Sequence, residues 1–247
     1  MVGGGAMRRD GPGGDGMVSQ GSRGDLEELF GRRSRPAGSA EGAAAPGALH
    51  PELELLIRQL ADASREAEQL VGHLSEQQFN WSPGPGRWSI AECLGHLNLI
   101  GSELLPKIDA AFAEARARAW YRQGPPRVGF FGRRLLEATE PPVRSRRRAK
   151  NVHVSEGEQT AGVVLPALLD LNAQLAERVR AGNGLDLGRP KVSAFGSVLY
   201  KPSLYELFLV AVAHERRHLR QAQSVRDDAG FPKRVGPPPA AAPRAGR

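Results

Sequence analysis

His214 and His218 stand four residues apart in a stretch with helical periodicity, a spacing that places two imidazoles on one helix face about a turn apart. Such a pair can grip one metal ion. The string His214-Glu215-Arg216-Arg217-His218 also has the H-E-x-x-H form, in which two histidines bind zinc and the glutamate is the general base of a metalloprotease. That makes Glu215 a candidate catalytic residue. A metalloprotease of this kind needs a third ligand further along, yet the 29 residues after His218 contain neither Glu nor His, leaving Asp227 and Asp228. It would also want edge strands upstream to align a peptide, and none is evident.

His96 is the better third ligand. It follows Ser89 by seven residues and is surrounded by Ile90, Cys93, Leu94, Leu97, Ile100 and Leu104, so its face of the helix is directed at the core. A lone histidine there would be read as a hydrogen-bonded core residue, but the downstream pair gives it partners. Three imidazoles converging from two helices make a site that leaves positions open for water or substrate. Neutral imidazoles leave a metal its full charge, which lowers the pKa of bound water or holds a thiol as thiolate at neutral pH. Zinc is the expected occupant, with nickel, manganese or iron as alternatives decided by geometry and availability. Cys93 reads as a small core residue rather than a nucleophile, and Glu103 as either a hydrogen-bond acceptor behind His96 or an exposed acid. His50 and His73 read as surface residues, while His153 could approach the mouth of the site.

The elements that must position these residues are helical. Pro51 opens a first helix through Val71, with Leu53, Leu56, Leu60, Ala63, Ala67 and Leu70 at three- and four-residue steps. Ser89-Ile-Ala-Glu92 and Ser203-Leu-Tyr-Glu206 both match the capping box and should start helices over about 89 to 118 and about 203 to 228. A further helix over about 160 to 181 follows from the leucines at 165, 168, 169, 171 and 175, with Gly182 as terminator. The segments between residues 118 and 160 and between 184 and 201 read as irregular, although Val192 to Leu199 could form a short strand. Four amphipathic helices without a convincing sheet predict an all-α fold, a four-helix bundle with long connections.

Composition narrows the function classes. The single cysteine in 247 residues, Cys93, excludes an intramolecular disulfide framework and any cysteine-rich zinc or iron–sulfur centre. No run approaches the roughly 18 apolar residues of a membrane-spanning helix, and there is no leader pattern, so a cytoplasmic protein is expected. The formal net charge is +7, but residues 116 to 150 hold eleven basic residues against Glu137 and Glu140, so the rest of the chain is close to neutral. Confined to one Pro- and Gly-punctuated connection, this charge reads as a solvated loop or as a rim that steers an anionic small-molecule substrate; contact with nucleic acid stays open but is not favoured. Residues 1–48 and 233–247, rich in Gly, Ala, Arg and Pro, read as unstructured tails flanking one domain over 49–232.

The stretch Trp81-Ser82-Pro83-Gly84-Pro85-Gly86-Arg87-Trp88-Ser89-Ile90-Ala91-Glu92-Cys93-Leu94-Gly95-His96-Leu97, followed by His214-Glu215-Arg216-Arg217-His218-Leu219-Arg220-Gln221, resembles the DinB-like superfamily. The resemblance covers the core from about 50 to 230. It implies a four-helix bundle that binds a divalent metal through His96, His214 and His218, that is often homodimeric, and that in some members transfers a low-molecular-weight thiol. Three functions are carried forward: a metal-dependent thiol transferase or hydrolase, a non-catalytic metal-binding or interaction bundle, and an H-E-x-x-H metalloprotease.

Overall fold

Why the chain is all-helical follows from its caps and its apolar spacing. The computed structural model describes residues 48–140, 158–194 and 200–233, which lie within one compact unit. Six helices are present among them: α1 (Pro51–Val71), α2 (Glu76–Asn80), α3 (Ile90–Ala117), α4 (Phe130–Thr139), α5 (Ala161–Ala181) and α6 (Leu204–Arg226). There is no strand among the described residues, only isolated bridges between Tyr121 and Leu185 and between Lys191 and Ser203. The all-α expectation therefore holds. Of the strand expected over 192–199, Val192 to Ala194 are irregular, and the rest lies outside the described residues. The expected tails, apart from their inner edges, and His153 also lie outside them. None of the described helices is long and apolar enough to cross a membrane.

Both capping boxes form as the sequence predicts. The Ser89 amide donates to Glu92 Oε2 (2.7 Å) and the Glu92 amide to Ser89 Oγ (3.1 Å); the Ser203 amide donates to Glu206 Oε2 (2.7 Å) and the Glu206 amide to Ser203 Oγ (3.3 Å). Each box satisfies two amides that a helix start would otherwise leave without partners. A third box, Ser75 with Gln78, starts α2.

The four long helices account for most of the packing: α1 and α3 each lie against both α5 and α6. Leu53, Leu56, Leu60 and Leu70 of α1, Leu94, Leu104 and Ile108 of α3, Leu168 and Leu175 of α5, and Leu207 and Leu219 of α6 are all buried. Each such side chain contributes about 1.5–3 kcal/mol through its removal from water. α3 and α5 approach closely at Gly101, where an added Cβ would come within 2.2 Å of Leu171 Cδ2.

The basic connection differs from its reading as an irregular loop. Residues 130–139 form α4, which packs on α6 through buried Gly132, Leu136 and Thr139. Its apolar positions recur at three- and four-residue steps, but the proline pairs that flank it, Pro125-Pro126 and Pro141-Pro142, and the density of arginine obscure the pattern. Glu140, buried at the C-cap of α4, is ion-paired with Arg216 of α6.

Candidate metal centre

α3 and α6 run in opposite directions, as the ion pair between Arg87, just before α3, and Asp228, just after α6, shows (2.9 Å). This brings the second turn of α3 to the middle of α6. The three histidines meet there: one ring nitrogen from each of His96, His214 and His218 lies within 4.8 Å of the other two. His214 Nε2 and His218 Nε2 approach to 3.1 Å. Ring centroids are 5.2 Å apart for His96 and His214 and 4.8 Å apart for His96 and His218. His96 and His218 are buried and His214 is partly exposed, so the cluster has one side toward solvent.

The surroundings disfavour charge on the rings themselves. Burial pulls His214 down to about 3, with the His96 and Arg217 charges acting the same way. Burial pulls His218 down to about 2, assisted by His214, His96 and Arg217 against a hydrogen bond with Gln221. Neutral imidazoles are the form that ligates. Tetrahedral zinc with ligand bonds near 2.05 Å requires nitrogens about 3.3 Å apart, close to the 3.1 Å between His214 Nε2 and His218 Nε2. The residues present therefore fit a divalent cation.

Trp88 closes one wall, stacked on His218 (5.3 Å between centroids, 16° between planes) and edge-on to His96 (5.1 Å). Nothing in the sequence spacing of Trp88 indicates that it faces imidazoles. Gln159 is a further neighbour of the ligand helix. It lies against Gly95 so closely that a Cβ there would meet Gln159 Oε1 at 2.4 Å. Asn80 holds the Gln159 backbone through two 2.8 Å bonds, its amide donating to the Gln159 carbonyl and its carbonyl accepting from the Gln159 amide. Since Gln159 is 63 positions from His96, no local pattern reveals this contact.

Glu215 is not one of the groups whose ligand atoms converge. It is buried, and its carboxyl is hydrogen-bonded by Asn172 of α5, whose amide also donates to Ser64 Oγ of α1 (3.1 Å). Burial pushes the Glu215 carboxyl up to about 8, against Asn172 and Arg216. Cys93 is buried, and burial pushes its thiol well above the usual range, with Glu92 adding to the effect. Glu103 is exposed. Asp227 accepts from Gln223 (2.8 Å) and Asp228 from Arg87 (2.9 Å) and the Gly230 amide (3.0 Å), so the downstream acids that the metalloprotease reading requires are engaged elsewhere.

The DinB superfamily matches residues 59–222, about two thirds of the chain and all three histidines. The chain belongs to the DinB superfamily. Comparison with curated proteins and with solved structures gives no match. The DinB match takes in α3 and α5 completely, begins within α1 and ends within α6 beyond His218, so the histidine cluster sits inside the family's own extent.

Proposed function

We propose that this DinB superfamily protein is a divalent-metal-dependent enzyme, a thiol transferase or hydrolase acting on a small molecule, with His96, His214 and His218 as the metal ligands. The observation that carries it is the convergence of three imidazole nitrogens within 4.8 Å at a site with one partly exposed member. The cation, zinc foremost, supplies a Lewis acid toward a water or a low-molecular-weight thiol. The chain's own residues do the rest. Two turns of α6 hold His214 and His218 on one face, α3 brings His96 against them, and Trp88 keeps water from one side of His218 by stacking on it. Glu215, on the ligand helix, is the acid–base candidate. Its buried hydrogen bond to Asn172 makes it a group whose protonation depends on the helix packing around it. A cytoplasmic location and a homodimer belong to the same reading.

The test is metal content of the full chain by inductively coupled plasma mass spectrometry. About one metal ion per chain in the wild type and loss to background in both His96→Ala and His214→Ala support one centre spanning α3 and α6. Metal retained in His96→Ala and lost in His214→Ala would restore the metalloprotease arrangement. Wild-type protein that takes up no metal after reconstitution overturns the proposal. With metal content established, Glu215→Gln tests the acid–base assignment: activity falls while bound metal stays near one per chain.

A further inference from the structure

A second site is built at the start of α6, from residues that the histidine centre does not use. Glu206 precedes His214 by eight residues, about 12 Å along the helix axis, and the connections beside Glu206 form two adjoining grooves. The first, about 460 Å³, is lined by Arg122, Arg127, Asp186 and Arg189. The second, about 470 Å³, is lined by Phe130, Phe131, Lys191, Tyr200 and Glu206 and shares Arg127 and Gly188 with the first. Both volumes are of the size that small-molecule sites occupy, roughly 300–1,000 Å³.

The walls are held in place. The Arg122 amide donates to the Gly184 carbonyl and the Asp186 amide to the Trp120 carbonyl, both at 2.9 Å. The Tyr205 amide donates to the Leu187 carbonyl at 3.0 Å, fixing the second connection to the start of α6. Arg118 and Arg189 lie over the Trp120 ring at 5.1 and 6.0 Å. Arg122 is nine-tenths buried; its Nη2 donates to Glu52 (3.3 Å), while its Nε has no hydrogen-bond partner. Arg189 is ion-paired with Asp186. Arg127 and Lys191 have no ion-pair partner among the described residues.

Glu206, which lines the second groove, is saturated by the Gly129 amide (2.8 Å), the Tyr200 hydroxyl (2.9 Å), and the Ser203 amide and hydroxyl (2.7 and 2.9 Å). Burial alone would raise its pKa, but these donors outweigh burial and hold it below the usual carboxylate range. The grooves therefore combine two cations without ion-pair partners, Arg127 and Lys191, with a carboxylate whose oxygens are already taken by hydrogen bonds. Beside them stand rings that soluble domains ordinarily cover: Phe130 and Phe131 are 73% and 66% exposed. Phe131 lies 5.8 Å from Tyr200 and 5.5 Å from Phe130.

Guanidinium groups recognise phosphate and carboxylate, and flat rings recognise other flat rings. We propose that these two grooves form one binding site for a small anion carrying an aromatic ring, an aryl phosphate or carboxylate, with Arg122 and Arg127 on the anion and Phe131 and Tyr200 on the ring. The site is independent of metal binding.

Isothermal titration calorimetry with 1-naphthyl phosphate tests it, run on wild type and on His214→Ala, which removes any route through the histidine centre. One ligand per chain is expected in both. Arg127 and Phe131 are exposed, so their replacement leaves the fold intact: Arg127→Ala should weaken binding at least about tenfold and Phe131→Ala about fivefold. Arg134→Ala, whose arginine is paired with Glu137 and lies off both grooves, should change nothing. Inorganic phosphate should bind at least about tenfold more weakly than 1-naphthyl phosphate. Equal affinity for the two overturns the aromatic half of the site. Absence of saturable binding, insensitivity to Arg127→Ala, or loss in His214→Ala overturns the whole. Adsorption to phosphatidylglycerol vesicles that depends on Phe131, without naphthyl phosphate binding, would replace it with a membrane-docking face.

Discussion

The histidine cluster lies midway along α6 and the arginine-lined grooves lie at its start, and the two are built on opposite plans. At the cluster, titratable groups are pressed together inside the helical packing, and burial keeps His214 and His218 neutral. At the grooves, Arg127 and Lys191 stay on the surface, and the buried acid Glu206 is surrounded by donors. The difference shows where position comes from. Regular helices alone hold the imidazoles, so their alignment is as rigid as the helix packing. Backbone bonds between two irregular connections hold the arginines, with α4 clamped on the outside.

That contrast makes the α4 clamp the most informative place to break. Glu140 is buried and its partner Arg216 is half-buried, and Arg216 sits between His214 and His218 in the sequence. Removing one partner of a buried pair leaves the other charge uncompensated, at a cost of about 3 kcal/mol. Glu140→Ala should therefore lower the midpoint of thermal unfolding by roughly 6–12 °C in a domain of this size. Followed by circular dichroism, a shift under about 2 °C would show that α4 contributes nothing to the helix carrying the histidines.

Gly132 sharpens the comparison from the groove side. A Cβ at this position would lie 2.1 Å from Glu206 Oε1, and Glu206 cannot withdraw without abandoning its four donors. Gly132→Ala should cost about 2 kcal/mol in urea unfolding, within the range for overpacking a buried contact. It should leave metal content unchanged, because the histidines do not depend on Glu206. Metal loss in Gly132→Ala would mean that the two sites are coupled through α6 rather than separately built.

The two plans also decide what could be read from the chain alone. α1, α3, α5 and α6 were legible because apolar residues recur at helical steps and because Ser89–Glu92 and Ser203–Glu206 announce two starts. His96 could be joined to His214 and His218 because Cys93, Leu94 and Leu97 show which face of α3 is buried. α2 carried a signal, Ser75 three residues before Gln78, but five residues are too few for a period to emerge. α4 hid behind arginine density, and the grooves were invisible, since they depend on the pairing of residues 120–122 with 184–186, far apart in the sequence. The Trp88 stack was equally beyond reach, because an aromatic beside a cap looks the same whether it faces leucine or imidazole.

The smallest expected effect compares two caps of the same chemistry. Ser203 is buried and shares Glu206 with Tyr200 and the Gly129 amide, whereas Ser75 caps a five-residue helix and is exposed. An N-cap serine replaced by alanine costs about 1 kcal/mol in general. Ser203→Ala should exceed that value because Glu206 loses one of its donors and the α6 start is buried. Ser75→Ala should fall below it because water can satisfy the freed amide. Equal losses in urea unfolding would show that the Glu206 network adds nothing beyond an ordinary cap, and would remove the reason for treating that end of α6 as a preorganised site.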